Sequence, residues 1–301
     1  MNVFALLDKP REPIALTLDN YRSKTHRGAP YFQQIGGKVK EFAVCPGCQN
    51  PILIVSNPAT ETHGACFYAK HYKNSVRGVG EYNEASYLDC PLASRASLDE
   101  SDRRSLVGKV ITNEVKRAMV EAFDLVVSFI EADTGLKLSD ELLGKMLDNF
   151  SSNKVYEYAA INIYNLPYAF AYLTQPQDIF GCGVDERIAS AIDKRCTSFY
   201  VYNQRFGRFI KRRQGHRGNL RLQFEGHAAS TLKGGSESMI MRIVEVLPEG
   251  VGETVSDIYT KTIFLDNARF FNVYKKRQRR MNLAASKLQS PMSSAPVRHL
   301  L

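Results

Sequence analysis

No apolar run in this 301-residue sequence reaches the roughly 20 residues that a membrane-spanning helix requires. Nor does the start read as a secretory leader. Met1–Pro13 brings in Asp8, Lys9, Arg11 and Glu12 after only a few apolar residues, where a leader holds an unbroken apolar stretch. Both absences set the expectation of a cytoplasmic protein without a membrane span. Catalytic signatures are equally scarce. Gly36-Gly37 and Gly234-Gly235 are isolated pairs, without the Lys-Ser/Thr that completes a phosphate-binding loop. A Gly-x-Ser-x-Gly elbow and a His-Glu-x-x-His pair are both missing, which sets aside the reactions those signatures announce. There is no internal repeat. Cysteine is sparse, at six residues. Without a leader, these read as thiolate ligands or buried small residues and not as a disulfide framework.

What the sequence does hold is an ordinary apolar fraction of 44%, enough to fold as one large domain or two smaller ones. The net charge of +9 is unevenly placed. Residues 197–301 carry 18 Lys/Arg against 7 Asp/Glu, whereas the first 196 carry 22 against 24. All of the excess positive charge falls in the last third, which points to a polyanionic partner for that part of the chain.

The texture of the sequence predicts an α+β fold in successive parts. These are an N-terminal zinc-knuckle module over 1–96, a central helical segment over 97–196, a basic antiparallel β-rich region ending in a basic helix over 197–289, and a disordered tail over 290–301. Ile14, Leu16 and Leu18 alternate as in a short strand, and Val39–Val44 and Ile52–Val55 read as a hairpin around the first cysteine pair. Ser97-Leu98-Asp99-Glu100 has capping-box spacing and is expected to open a helix. Its apolar stripe runs through Leu106, Val110, Met119, Phe123, Val126, Val127 and Ile130 to a stop at Gly135. Ser139 opens the next helix, with Leu142, Leu143, Met146, Leu147 and Phe150 on one side, and Asp185–Lys194 forms a shorter one. Tyr156–Tyr172 is apolar and aromatic, broken by Pro167, and open to either helix or strand. Leu220–Phe224, Met239–Leu247 and Ile258–Leu265 read as strands, the last two separated by the turn Pro248–Gly252. A helix follows from Asn267 through the basic cluster to the neighbourhood of Lys287.

Four cysteines and three histidines lie in the first part. Cys45-Pro46-Gly47-Cys48 is a Cys-x2-Cys turn that aims two sulfurs at one point, with Pro46 setting one φ and Gly47 letting the backbone reverse. A tetrahedral zinc needs two more ligands, and His63, Cys66, His71 and Cys90 are the candidates. Cys66 with His71 has zinc-finger spacing. His71 with Cys90 makes a more open set, and Cys90-Pro91 repeats the Cys-Pro start of the knuckle. The stretch Cys66-Phe67-Tyr68-Ala69-Lys70-His71 resembles the His-Phe-x-His stretch that follows a CPxC knuckle in competence-type CoiA proteins and some mobile-element proteins, with cysteine in place of the first histidine. That likeness favours Cys45, Cys48, His71 and Cys90, with Cys66 as the alternative ligand. Four protein ligands imply a closed, structural zinc. Cys182 and Cys196 have no partner pattern and are expected in the core.

The positive charge forms two clusters. Arg205, Arg208, Lys211, Arg212, Arg213, Arg217 and Arg221 follow one another without an acid, and 211–218 is expected to project as a hairpin loop that holds phosphates. Phe199, Tyr200, Tyr202, Phe206 and Phe209 flank it and could stack on unpaired bases, although strand alternation sends about half of them to the core. Lys275, Lys276, Arg277, Arg279 and Arg280 form the second cluster on the last helix. The expectation is a zinc-containing nucleic-acid-binding protein of low sequence specificity, of bacterial mobile-element or phage type. A metal-dependent nuclease using carboxylates among Glu225, Glu245, Asp257 and Asp266 is the first alternative, with His216 and His227 expected in surface or loop positions. An adaptor that meets an acidic protein partner is the second.

Overall fold

In the computed structural model, which describes residues 1–57, 66–93, 97–99, 102–104, 109–228, 237–249 and 252–288, the chain is α+β. It opens with strands β1 (Val3–Leu6) and β2 (Lys9–Ala15), helix α1 (Leu18–Thr25), strands β3 (Phe32–Ile35), β4 (Lys38–Val44), β5 (Pro51–Asn57) and β6 (Cys66–His71), and the short helix α2 (Glu84–Leu88). The strands form one antiparallel sheet in the order β2-β1-β4-β5-β6, with β3 also paired to β4. Gly36 and Gly37 have φ of 60° and 75°. Such left-handed pairs make the tight turn whose twist suits a hairpin, here joining β3 to β4. The strand expected over Ile14–Leu18 stops at Ala15. Thr17 turns the chain by capping α1, its hydroxyl accepting from Asn20 N–H at 3.1 Å. Successive residues of β4 serve opposite faces, with Ala43 beside Phe4, Tyr21 and Ile52, and Phe42 and Val44 beside Val76 and Val79.

The next elements are helices α3 (Lys109–Glu121) and α4 (Phe123–Thr134), strand β7 (Leu136–Lys137), helix α5 (Asp140–Ser152), helix α6 (Leu166–Leu173), strands β8 (Gln177–Asp178) and β9 (Gly183–Val184), and helix α7 (Glu186–Arg195). Ser139 caps α5 and Asp185 caps α7, each accepting from the N–H three residues on. The capping box at Ser97 does not open a helix. Residues 97–99 and 102–104 are turn and extended chain, Arg103 bridges Tyr158, and Glu100 lies outside the described residues. The Ser97 hydroxyl bonds to Asp99 and His227 instead. The long helix expected up to Gly135 is two helices. Ala122, 1% exposed, leaves helical geometry at φ −143°, and Phe123 beyond the break packs edge-on against Phe170. Pro167 sits in the first turn of α6, where its missing N–H has no helical partner to lose. It starts that segment's helix.

Strands β10 (Phe199–Gln204), β11 (Gly207–Arg212), β12 (Asn219–Ala228), β13 (Ser238–Glu249) and β14 (Gly252–Phe264) come next, and helix α8 (Asn267–Leu288) closes the described chain. They complete two four-stranded sheets, β10-β11-β9-β7 and β14-β13-β12-β8, with all pairs antiparallel. Gly250, Val251 and the tail 290–301 lie outside the described residues. One apolar core runs from Leu98 to Tyr274 and takes Val126, Phe170, Ile188, Ile210, Ile243 and Phe270 from helices and sheets alike. The N-terminal sheet docks on it through α8. Asn272 Nδ2 donates to Pro13 O at 2.9 Å, and Asn2 Nδ2 donates to Glu237 at 2.9 Å. Among the described residues, no helix is long and apolar enough to cross a membrane.

Candidate metal centre

The connection from β4 to β5 doubles back on itself. Cys45 N–H donates to Asn50 O at 2.9 Å, and Gln49 N–H donates to Cys45 O at 2.8 Å. Gln49 closes the reversal in the left-handed region, at φ 63°. This turn brings Cys45 and Cys48 to one side. β6 pairs with β5, and the register that sets His71 opposite Ile52 delivers the imidazole from the strand end beside the knuckle. Cys90 arrives just after α2, its N–H donating to Tyr87 O at 3.1 Å. It lies so close over the turn that a Cβ on Gly47 would stand 3.1 Å from its sulfur and 3.3 Å from Pro91 Cδ. Any larger residue there would press on the Cys90 sulfur and Pro91 and require them to shift.

Cys45 Sγ lies 3.6 Å from Cys90 Sγ, and His71 Nε2 lies 3.3 Å from Cys48 Sγ and 3.6 Å from Cys90 Sγ. All four ligand atoms fall within 4.8 Å of one another. A tetrahedral ion with sulfur at about 2.3 Å and nitrogen at about 2.0 Å would space its ligands by about 3.5–3.8 Å. The group therefore has the composition and spacing to hold a metal ion. Electrostatics points the same way. Burial, then the neighbouring Cys48 thiol, pushes the Cys45 thiol up to about 12. The neighbouring thiols and burial push Cys90 up as well, while hydrogen bonds from Cys45 and Cys90 pull Cys48 down. Three thiolates do not ionise together at this separation unaided, and a bound cation would supply the opposing charge.

Asn50 is the site residue that sequence reasoning passed over. It is 1% exposed. Its Nδ2 donates to Cys48 Sγ at 3.4 Å and to Asn83 O at 2.9 Å, while its Oδ1 accepts from Asn83 N–H at 2.6 Å. Asn83 in turn caps α2, accepting from Ser86 N–H at 2.8 Å. One amide thus ties the knuckle to the helix that presents Cys90. Leu92 N–H donates to Cys90 Sγ at 3.4 Å, and Tyr87 sets its ring edge-on to His71, 5.0 Å between centroids. Nothing local marks Asn50, because its partner lies 33 residues away. The alternative ligand, Cys66, opens β6 five residues before His71. At the rise of a strand the two are separated by roughly 17 Å of backbone, and the Cys66 side chain lies outside the described residues. His63 lies outside the described residues. Cys182 and Cys196 are buried in the main core, as expected.

The basic residues are distributed differently from the single loop expected. The chain reverses at Arg205-Phe206, between β10 and β11. Lys211 and Arg212 belong to β11, and 213–218 crosses from one sheet to the other. Arg208 pairs with Glu186, Arg212 lies 3.8 Å from Asp178 and over the Phe180 and Phe199 rings, and Arg221 lies 3.6 Å from Glu253. Arg205, Lys211, Arg213 and Arg217 are exposed and form no ion pair among the described residues. On α8, Lys275 lies 3.7 Å from Glu114, and Arg277 pairs with Asp124, holding that carboxyl below the usual carboxylate range. Lys276, Arg279 and Arg280 stay exposed. Lys275, Lys276 and Arg279 line a cleft of about 1100 Å³ that Pro46, Gly47 and Gln49 of the knuckle also line.

The carboxylates considered for a nuclease are not brought together. Glu245, 1% exposed, accepts from Thr197 and Ser198 N–H at 2.9 and 2.6 Å. Glu225 and Asp257 both pair with Arg242. Asp266 accepts from Arg269 N–H at 3.0 Å at the start of α8. Among the described residues, the Cys45-Cys48-His71-Cys90 group is the one cluster of three or more such side chains. His216 is exposed, as expected, but His227 is not a surface residue. It sits on β12 with its side chain 3% exposed, because its ring fills a polar junction. Leu98 N–H donates to Nδ1 at 3.2 Å, so Nε2 carries the proton toward Glu237, at 3.0 Å. Comparison with models of known families, with curated proteins and with solved structures gives no match.

Proposed function

We propose that this chain carries one structural zinc and binds nucleic acid with little sequence preference. Three cysteines and a histidine are a set that zinc takes in closed tetrahedral sites, where no position is left for a reacting water. The ion's role is then to hold the knuckle, β6 and α2 together. The observation that carries the binding half of the reading is the cleft. The knuckle and the basic helix are distant in sequence, yet both wall it. Two of its cations are neutralised locally, Lys9 by Glu12 at 3.2 Å and Lys275 by Glu114 at 3.7 Å. Arg11, Lys24, Lys276 and Arg279 line it without an ion pair among the described residues. Phosphates entering there would gain charge-assisted hydrogen bonds and release counterions.

The test combines metal analysis of the purified protein with a gel-shift panel of single- and double-stranded DNA and RNA. Zinc is expected at one ion per chain, and affinity should fall steeply and log-linearly with salt. Reversing charge with Lys276→Glu and Arg279→Glu should weaken binding to every sequence alike, because phosphate contacts carry no sequence information. A folded but metal-free protein would refute the zinc assignment. Failure to bind any nucleic acid at low salt would remove the binding role.

A further inference from the structure

The β10–β11 ribbon has two unlike faces. Its register pairs Phe199 with Arg212, Val201 with Ile210 and Asn203 with Arg208 on one face, and Tyr200 with Lys211 and Tyr202 with Phe209 on the other. Helix α7 covers the first face, where Val201, Asn203 and Arg208 meet Glu186, Ala189 and Asp193 around a small cavity, and Phe199 and Ile210 are fully buried. The second face is turned away from α7, yet it carries three aromatic rings, Tyr200, Tyr202 and Phe209. Tyr202 is 48% exposed, and Phe206 at the ribbon tip is 86% exposed. A wet sheet face ordinarily alternates to polar residues, so this run of rings is out of place unless something stacks on it. Gly183 continues the row beyond Phe209 without a side chain of its own, and Lys137 leans into that space, 2.9 Å from where a Cβ would be.

Cations are interleaved with these rings. Lys211 stands directly opposite Tyr200, the Arg213 guanidinium lies 5.5 Å from the Tyr200 ring centre, and that of Arg205 lies 5.5 Å from the Phe206 ring centre. From Lys194 to Phe224 the sequence contains no Asp or Glu. We propose that this face is a stacking platform for single-stranded nucleic acid. Bases lie on Tyr202 and Phe209, and the backbone phosphates are held by Lys211 and Arg213. The proposal rests on the nucleic-acid reading above and adds the strand state to it. Every base offers a π-face, so stacking tolerates any sequence, but a duplex hides those faces and leaves only its phosphates to contact.

The chain has no tryptophan, so Tyr202→Trp installs a single reporter on the platform in the full-length protein. Oligothymidylate should quench its emission, with affinity retained, and a duplex of equal length should not. Tyr202→Leu combined with Phe209→Leu keeps apolar bulk and should leave the melting temperature near that of the wild type. It should lower single-strand affinity by about tenfold or more and duplex affinity by less than about twofold. A reporter left unquenched by a single strand that does bind, with affinity unchanged in the double variant, would overturn the platform alone. Absence of binding to any nucleic acid by the wild type would remove the broader reading with it. Equal quenching by polyglutamate would assign the face to an acidic protein and overturn the proposal.

Discussion

The N-terminal sheet and the body that follows it reach a folded state by different means. The body gathers one large core, in which Phe129, Phe170, Ile243 and Phe270 come from elements spread over most of its length. The main cluster of the N-terminal sheet holds nine buried residues, and two of them, Cys45 and Cys90, are thiols of the candidate metal site. A core that small rarely supplies more than about 3–5 kcal/mol by itself. The comparison teaches that the same chain uses apolar burial where it has the residues for it, and a metal-sized polar cluster where it does not. Three separate segments converge on that cluster, so holding it together fixes the relative positions of β4–β5, β6 and α2.

Metal removal should separate the two regions most sharply. Structural zinc in small domains is worth about 10–16 kcal/mol of folding free energy. Chelation, or Cys45→Ser, should strip hydrogen-exchange protection from β4, β5, β6 and α2 while β12, β13 and α4 keep theirs. One cooperative loss across the whole chain would break the distinction. The converse is Phe270→Ala. That ring is 0% exposed and sits edge-on 5.2 Å from Phe129. Its loss should cost about 3–5 kcal/mol in denaturant unfolding of the body, with metal affinity in a chelator competition unchanged.

Asn50→Ala should act in the other direction. Leaving the Asn83 amide and Cys48 sulfur without their partner is expected to cost about 1–3 kcal/mol and to reduce metal affinity by about 10–100-fold, while body stability holds. Equal losses in both regions would show the sheet and the body to be one unit. The smallest effect is alkaline. Burial first, then the Glu41 charge, raises the Tyr21 phenol above its ordinary value. The folded state therefore holds that proton more tightly than the unfolded chain does. The stability this contributes is complete below about pH 10 and is lost as pH climbs beyond it. Tyr21→Phe should flatten the fall in N-terminal stability above that pH, although it gives up the 2.8 Å hydrogen bond to Phe42 O. An unchanged slope in the variant would dismiss Tyr21 as its source.

Much of the molecule was legible wherever a local interaction decides it. Helices α5 and α7 follow from Ser139 and Asp185, side chains that cap their own helices. β12, β13 and β14 follow from alternation, and the Cys45–Cys48 turn from its spacing. The misreadings share a cause. Ser97 has the right neighbours for a cap, but its hydroxyl bonds to His227, 130 residues on. Ile14–Leu18 alternates like one strand until Thr17 finds a helix to cap. The arginines of 205–221 look like one loop until Glu186, Asp178 and Glu253, from other elements, pair with three of them.

By itself the sequence determined that two sulfurs meet at residues 45 and 48, that positive charge collects in the last third, and that strand alternation sends about half of the rings around Arg205 to the core. These follow from bond geometry and side-chain period alone. Only the tertiary structure joined Cys90 to Cys45, Cys48 and His71, because the chain leaving α2 lays residue 90 over the knuckle and the pairing of β6 with β5 brings the His71 end of β6 to it. It alone decided which ring set of the ribbon is wet. Alternation makes both faces equivalent until α7 packs on one and buries Phe199, leaving Tyr202 to the solvent.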